Sequence, residues 1–226
     1  PLDSRAERNA IGVVLECMDH IDAMILCDFG YGTVTTGLLN QVLPELTRRK
    51  IIVTADVSGS RGRLAEFQGV DLFCPTEREL RTVLSDFDRG LSAVAWDVMS
   101  LTRARQMIVT LGNRGLVTFD RRSTELASPD WSGRLLSEHI PSLAEHSVDK
   151  LGYGDALLAA TTLGLTCGLN LMQSAWLGVL AGEAEAARLG NVPVRAEHLR
   201  DRIHCCTGPA LTRLESPEPA LAVATA

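Results

Sequence analysis

The chain has 226 residues, about one and a half domains at roughly 150 residues each, and a chain of this size folds with about 70% of its surface inside. Its 46% hydrophobic and 22% charged residues, with 19 glycines, exclude collagen, coiled coil and disorder along the whole length. A formal net charge of −6 withholds the basic face that phosphate backbones need, so no nucleic-acid partner is expected.

The chain opens without an initiator methionine in an amphipathic helix over residues 6–20, with Ile11, Val14, Leu15 and Met18 on one side, and is expected to begin inside a longer protein. A buried strand over 23–27 ends at Asp28-Phe29-Gly30-Tyr31-Gly32, and a helix over 36–48 follows. The next strand, 51–54, ends at Ala55-Asp56-Val57-Ser58-Gly59. A short helix and a third apolar run, 70–74, lead to Pro75. Thr76 then reads as an N-cap, with Glu79 three residues on completing a capping box for a helix through Leu84. A helix over 91–103 precedes the strand 107–110, and beyond the turn Leu111-Gly112-Asn113-Arg114-Gly115 the run 116–120 reads as its antiparallel hairpin partner. The last third is helical over 154–166, 171–189 and 194–205, and residues 207–226 read as a mobile tail.

Apolar strands separated by helices predict an α/β fold with a mainly parallel sheet sandwiched between helices. Ligands of such sheets sit beyond the carboxyl ends of the strands, where each of the polar or glycine-rich turns falls. No stretch reaches the ~18–20 apolar residues of a membrane span, and the first residues carry no signal pattern; a soluble, cytoplasmic protein with no membrane partner is expected. The six cysteines (17, 27, 74, 167, 205, 206) form no C-x-x-C pair and mostly lie among apolar neighbours, so reduced core thiols are expected, and no structural metal site.

The stretch Leu151-Gly152-Tyr153-Gly154-Asp155, running into a long apolar helix, places open backbone N–H groups at a positive helix end, suited to a phosphoryl group. A carboxylate there can deprotonate an attacking hydroxyl. Read alone, Asp155 is equally an ordinary acid in a first helical turn. In its context the stretch resembles the D-x-x-G-A-G-D signature of the ribokinase-like (phosphofructokinase-B) carbohydrate kinases. Four further segments agree in order: residues 28–32 are similar to an S-D-Y-x-K-G turn best known in heptose-phosphate kinases, 54–59 to D-P-K-G, 74–79 to P-N-x-x-E, and 110–115 to T-x-G-x-x-G. No G-x-x-x-x-G-K-[S/T] occurs, which excludes a P-loop enzyme.

The resemblance implies a ribokinase-like nucleotide-binding and catalytic domain over residues 1–206, truncated at its N-terminus. It implies ATP and Mg²⁺, with Asp155 as catalytic base and the amides of Gly152, Tyr153 and Gly154 as an anion hole. Thr110, Gly112 and Gly115 would shape the nucleotide site, and Asn191 beside Gly190 would close over adenine, although Gly190-Asn191 also reads as a plain C-cap turn. Glu79 would act on the magnesium ion through water, alongside its capping role. The function implied is ATP-dependent phosphorylation of a small-molecule sugar or sugar phosphate, with the acceptor-binding lid supplied by a complementary N-terminal polypeptide. A homo-oligomer is compatible with the sequence.

Four positions depart from the pattern. Tyr153 replaces a small residue and is expected to set a phenol ring at the pocket mouth. Leu151 replaces a hydroxyl residue, beside the positive Lys150; Thr76 replaces Asn, and Tyr31 replaces Lys. These carry the alternative reading, a catalytically inactive kinase-like module that binds nucleotide or a partner subunit.

Overall fold

In a computed structural model that describes residues 2–58, 63–121, 135–143, 151–190 and 192–206, six strands form one sheet. They are β1 (Ala23–Asp28), β2 (Ile52–Val57), β3 (Leu72–Phe73), β4 (Gln106–Thr110), β5 (Leu116–Arg121) and β6 (Leu135–Ile140), lying side by side in chain order. β1 to β4 are parallel; β5 is antiparallel to β4, and β6 to β5. Three of the five pairings are parallel, so the sheet is mainly parallel as expected, and a sixth strand that the sequence pattern did not announce extends the antiparallel hairpin at its end.

The helices are α1 (Ser4–Cys17), α2 (Thr36–Arg49), α3 (Glu77–Leu84), α4 (Leu91–Thr102), α5 (Tyr153–Thr166), α6 (Leu171–Ala186) and α7 (Ala196–Cys206). The short helical segment before β3 is a single turn, Arg63–Glu66. Their starts follow local chemistry: the side chain of Asp3 accepts from the Arg5 and Ala6 amides, and that of Thr35 from the Leu38 amide. Parallel neighbours joined by right-handed crossovers place their helices on one face. Ile11, Leu39, Leu46, Leu80 and Val98 from α1 to α4 accordingly share one core with Phe73, Met107 and Val109. The intervening residues Leu72 and Ile108 point to the opposite face, where they meet Leu157, Leu158 and Val179 of α5 and α6. This alternation is the period-2 signature of strands buried on both sides, and each such Leu, Ile or Phe contributes roughly 1.5–3 kcal/mol.

α5 and α6 form the most extensive helix pair. Small residues make that approach possible: a Cβ on Gly164 would lie 2.8 Å from Ser174 Oγ, one on Gly178 2.7 Å from the Leu157 carbonyl oxygen, and one on Gly182 2.7 Å from the Tyr153 ring. Ser174, Gly178 and Gly182 recur every fourth residue, one ridge of α6 set against α5. A buried hydrogen bond between the hydroxyls of Thr54 and Thr162, 2.8 Å, ties α5 to β2. The cysteines depart from expectation. Cys74 is buried, but Cys17, Cys27, Cys167 and Cys205 are exposed thiols, since their apolar neighbours occupy the inward positions of the same elements. No helix of the described residues is long and apolar enough to cross a membrane. Residues 207–226, read from sequence as a tail, lie outside the described residues.

Candidate active site

The carboxyl ends of β1 to β4 and the N-terminus of α5 meet at one edge of the molecule. Gly152 starts α5 with φ +83° and, being glycine, brings no side chain of its own to cap the first-turn amides. A residue with a Cβ would be strained at that φ, which accounts for glycine there. Asp155, in the first turn, is exposed. It lies within electrostatic reach of Cys27 at the end of β1 and Asp56 at the end of β2.

β3 is continued beyond its two residues by the loop to α3. The Thr110 amide donates to the Pro75 carbonyl at 3.0 Å, and Thr76 pairs with Thr110 in a parallel bridge. This brings the N-terminus of α3 beside the end of β4. The predicted capping box is formed: the Thr76 amide and hydroxyl donate to Glu79 at 2.9 and 2.8 Å, and the Glu79 amide donates to the Thr76 hydroxyl at 3.2 Å. The turn after β4 is closed by Leu111 donating to the Gly115 carbonyl at 2.7 Å, with Gly112 at φ +61°.

A cavity of about 950 Å³ opens between these elements, lined in part by Thr76, Thr110, Gly112, Tyr153, Gly154 and Glu183. It joins four of the sequence-predicted site residues, Thr110, Gly112, Tyr153 and Gly154. Gly115 stands behind the wall, where a Cβ would come within 2.6 Å of the Ser142 amide, so it lets the end of β6 approach the turn. Asn191 lies outside the described residues, as does Lys150. The Tyr153 ring does not stand at the pocket mouth. It packs on Gly182 of α6, where the missing side chain leaves room for it, and forms cavity wall. Tyr31 is 84% exposed.

Beside the cavity lies an acidic cluster that was only partly evident from sequence. Asp56 is pushed up to about 6, first by burial and then by the charges of Glu79 and Asp155. Burial, then Asp56 and Asp155, raises the Cys27 thiol; burial, then Asp56 and Glu79, raises that of Cys74. Asp56 is the site residue the motif reading passed over, although it ends an apolar strand as a lone acid. Among the described residues no three His, Cys, Asp or Glu side chains converge closely enough to grip a metal directly. The concentrated negative charge suits a divalent cation that keeps its water, as magnesium does. At the turn after β1, Arg63 pairs with Asp28 at 3.2 Å and donates to the Val34 carbonyl at 2.9 Å, while Gly30 donates to Asp28 at 2.9 Å.

No protein-family model matches the chain. The bifunctional protein HldE of Trichlorobacter lovleyi is 26% identical over 197 residues, 86% of this chain and 37% of that protein. Phosphofructokinase-2 from Escherichia coli superimposes with a TM-score of 0.71 at 20% identity, over 90% of this chain and 63% of its own. Ribokinase from Arabidopsis thaliana, solved with ribose and ATP, does so with a TM-score of 0.66 at 18% identity, over 86% and 58%. The fold is therefore ribokinase-like, as the sequence resemblance implied, and the chain spans little more than a third of the length of HldE and about 60% of the two solved kinases.

Proposed function

We propose that this chain is the nucleotide-binding and catalytic part of an ATP-dependent carbohydrate kinase. The observation that carries the proposal is the glycine-started N-terminus of α5 with Asp155 in its first turn, beside an acidic cluster and a large cavity lined by Thr110 and Gly112. The sugar-kinase likeness of the relatives supports the reaction class, and the heptose-phosphate kinase motifs favour a sugar phosphate as acceptor.

In this reading Asp155 takes the proton of the acceptor hydroxyl as its oxygen attacks the γ-phosphorus of ATP, whose bond to the β,γ-bridging oxygen breaks to release ADP. The amides of Gly152, Tyr153 and Gly154 are pre-oriented donors for the charge on the transferring group, without reorganisation during the reaction. Thr110 and Gly112 shape the nucleotide cavity, Gly115 fixes its wall, and Asn191 would close it. Glu79 and Asp56 would hold magnesium through water, and the bound ion would offset phosphate charge. The acceptor approaches from β1, the sheet edge among the described residues, where Ile25 and Cys27 are exposed. A complementary N-terminal polypeptide would cover that edge and exclude water from Asp155. The protein would work in the cytoplasm, where ATP is available.

A second reading, a kinase-like module that binds nucleotide without turnover, is favoured by Glu79, one of whose oxygens is already engaged by both donors of Thr76. Phosphoryl transfer from ATP to a panel of sugars and sugar phosphates, with the N-terminal part supplied, separates the two. Turnover supports the kinase, and nucleotide binding without turnover supports the module.

A further inference from the structure

The loop that joins α3 to α4 contributes an aromatic residue to the cavity wall. Phe87 lines the cavity, is 60% exposed and belongs to neither hydrophobic core. Single exposed apolar residues are common on protein surfaces and by themselves call for no ligand. The surroundings of Phe87 set it apart. Asp86 accepts from the amides of Asp88 and Arg89 at 3.2 and 3.1 Å, and from the Arg89 guanidinium. Arg81 of α3 donates to the Arg89 carbonyl at 2.9 Å while pairing with Glu77 at 3.0 Å, and Arg89 pairs with Asp97 of α4 at 2.7 Å. Phe87 thus stands in a turn tied to the helices on both sides, and a ligand that packs on its accessible ring does not have to order the loop first.

The cavity runs along α3. Thr76 and Glu77 line it at the start of the helix, Arg81 about 6 Å further on at the rise of an α-helix, and Phe87 in the loop beyond the last turn. The start of α5 meets the cavity at the Thr76 end, since the Tyr153 phenol is within electrostatic reach of Cys74, two residues before Thr76. A phosphate chain held by the α5 amides therefore leaves the length of the cavity along α3 for the rest of a nucleotide. Phosphates and ribose hydroxyls call for donors, charge or water. The base is the part with a flat apolar face, which a phenyl ring matches by offset stacking. A sugar acceptor is the poorer match, because its side of the site lies at β1, at the other end of the parallel strands from β4.

Resting on the nucleotide reading of the cavity, we propose that Phe87 is the platform on which the nucleobase stacks, held in place by Arg81 and Asp86. Calorimetric titration of the full chain with ADP and with pyrophosphate, each with magnesium, tests this in wild type, Phe87→Ala and Phe87→Trp. The side chain is exposed and outside both cores, so the variants keep the fold, which thermal unfolding checks. ADP should bind Phe87→Ala at least about tenfold more weakly than wild type, the size of one base–aromatic stack, and Phe87→Trp at least as tightly as wild type. Pyrophosphate, which has no base, should not distinguish the three proteins. A dissociation constant for ADP in Phe87→Ala within about twofold of wild type, less than one stack contributes, overturns the proposal while leaving the nucleotide site intact. So does a loss for pyrophosphate equal to that for ADP, because the variant would then have disturbed the phosphate site. Absence of ADP binding by wild type at millimolar concentration overturns the nucleotide reading, and this proposal with it.

Discussion

Asp56 shows how the fold sets the chemistry of single residues. Its carboxyl is raised from 3.8 to about 6 by burial and by Glu79 and Asp155. Between those values the folded chain keeps a proton that the unfolded chain has lost, so this group's contribution to stability falls as pH rises through that window. Asp56→Asn should therefore gain stability relative to wild type between pH 4 and pH 7, by up to about 2 kcal/mol once solvent screening is allowed for. Denaturant unfolding at both pH values checks this, and an equal difference at the two would refute it. Thr76→Ala removes the α3 cap and should cost about 1 kcal/mol in the same assay. The two residues differ in legibility. Thr76 and Glu79 interact three residues apart, so their box could be read from spacing. Asp56, Glu79 and Asp155 come from three elements that only the folded sheet brings together. That Glu183 lines the cavity was hidden for a related reason, because α6 is buried on nearly all sides and its two acids, Glu183 and Glu185, are both buried.

At the scale of elements, the seam between α5 and α6 positions the N-terminus of α5 against the cavity wall. Gly178→Ala places a methyl group 2.7 Å from a backbone carbonyl that cannot rotate away. It should cost about 1–3 kcal/mol as overpacking. At Gly12, inside α1, an added methyl group would meet nothing within 4 Å, and Gly12→Ala should stabilise by about 0.5–1 kcal/mol through helix propensity and a less flexible unfolded chain. Thermal unfolding of the pair distinguishes them by sign. The alternation of apolar strands and helices identified β1, β2, β4 and β5 and all seven helices, because each carries its own period. It did not identify β6, where only Ile140 at the end is buried among exposed and half-buried positions, and which is held by pairing with β5. Nor did it limit β3 to two residues, since apolar residues beside a short strand are buried by the helices around it.

For the whole molecule, ligand-facing turns collect at one edge because consecutive strands run parallel, an arrangement that the order of elements did imply. What that order could not supply was the separation of this edge into an acidic side, with Asp56 and Asp155, and a cavity side, with Thr110 and Gly112, the N-terminus of α5 lying between them. That separation is the basis for assigning acceptor and nucleotide to opposite sides of one helix end. It is tested most directly by Asp155→Asn, in a preparation containing the complementary N-terminal part, with kcat for phosphoryl transfer and the dissociation constant for ATP measured on the same sample. The account predicts a fall in kcat of about 10² or more with nucleotide affinity retained; unchanged turnover would remove Asp155 from the chemistry and contradict it.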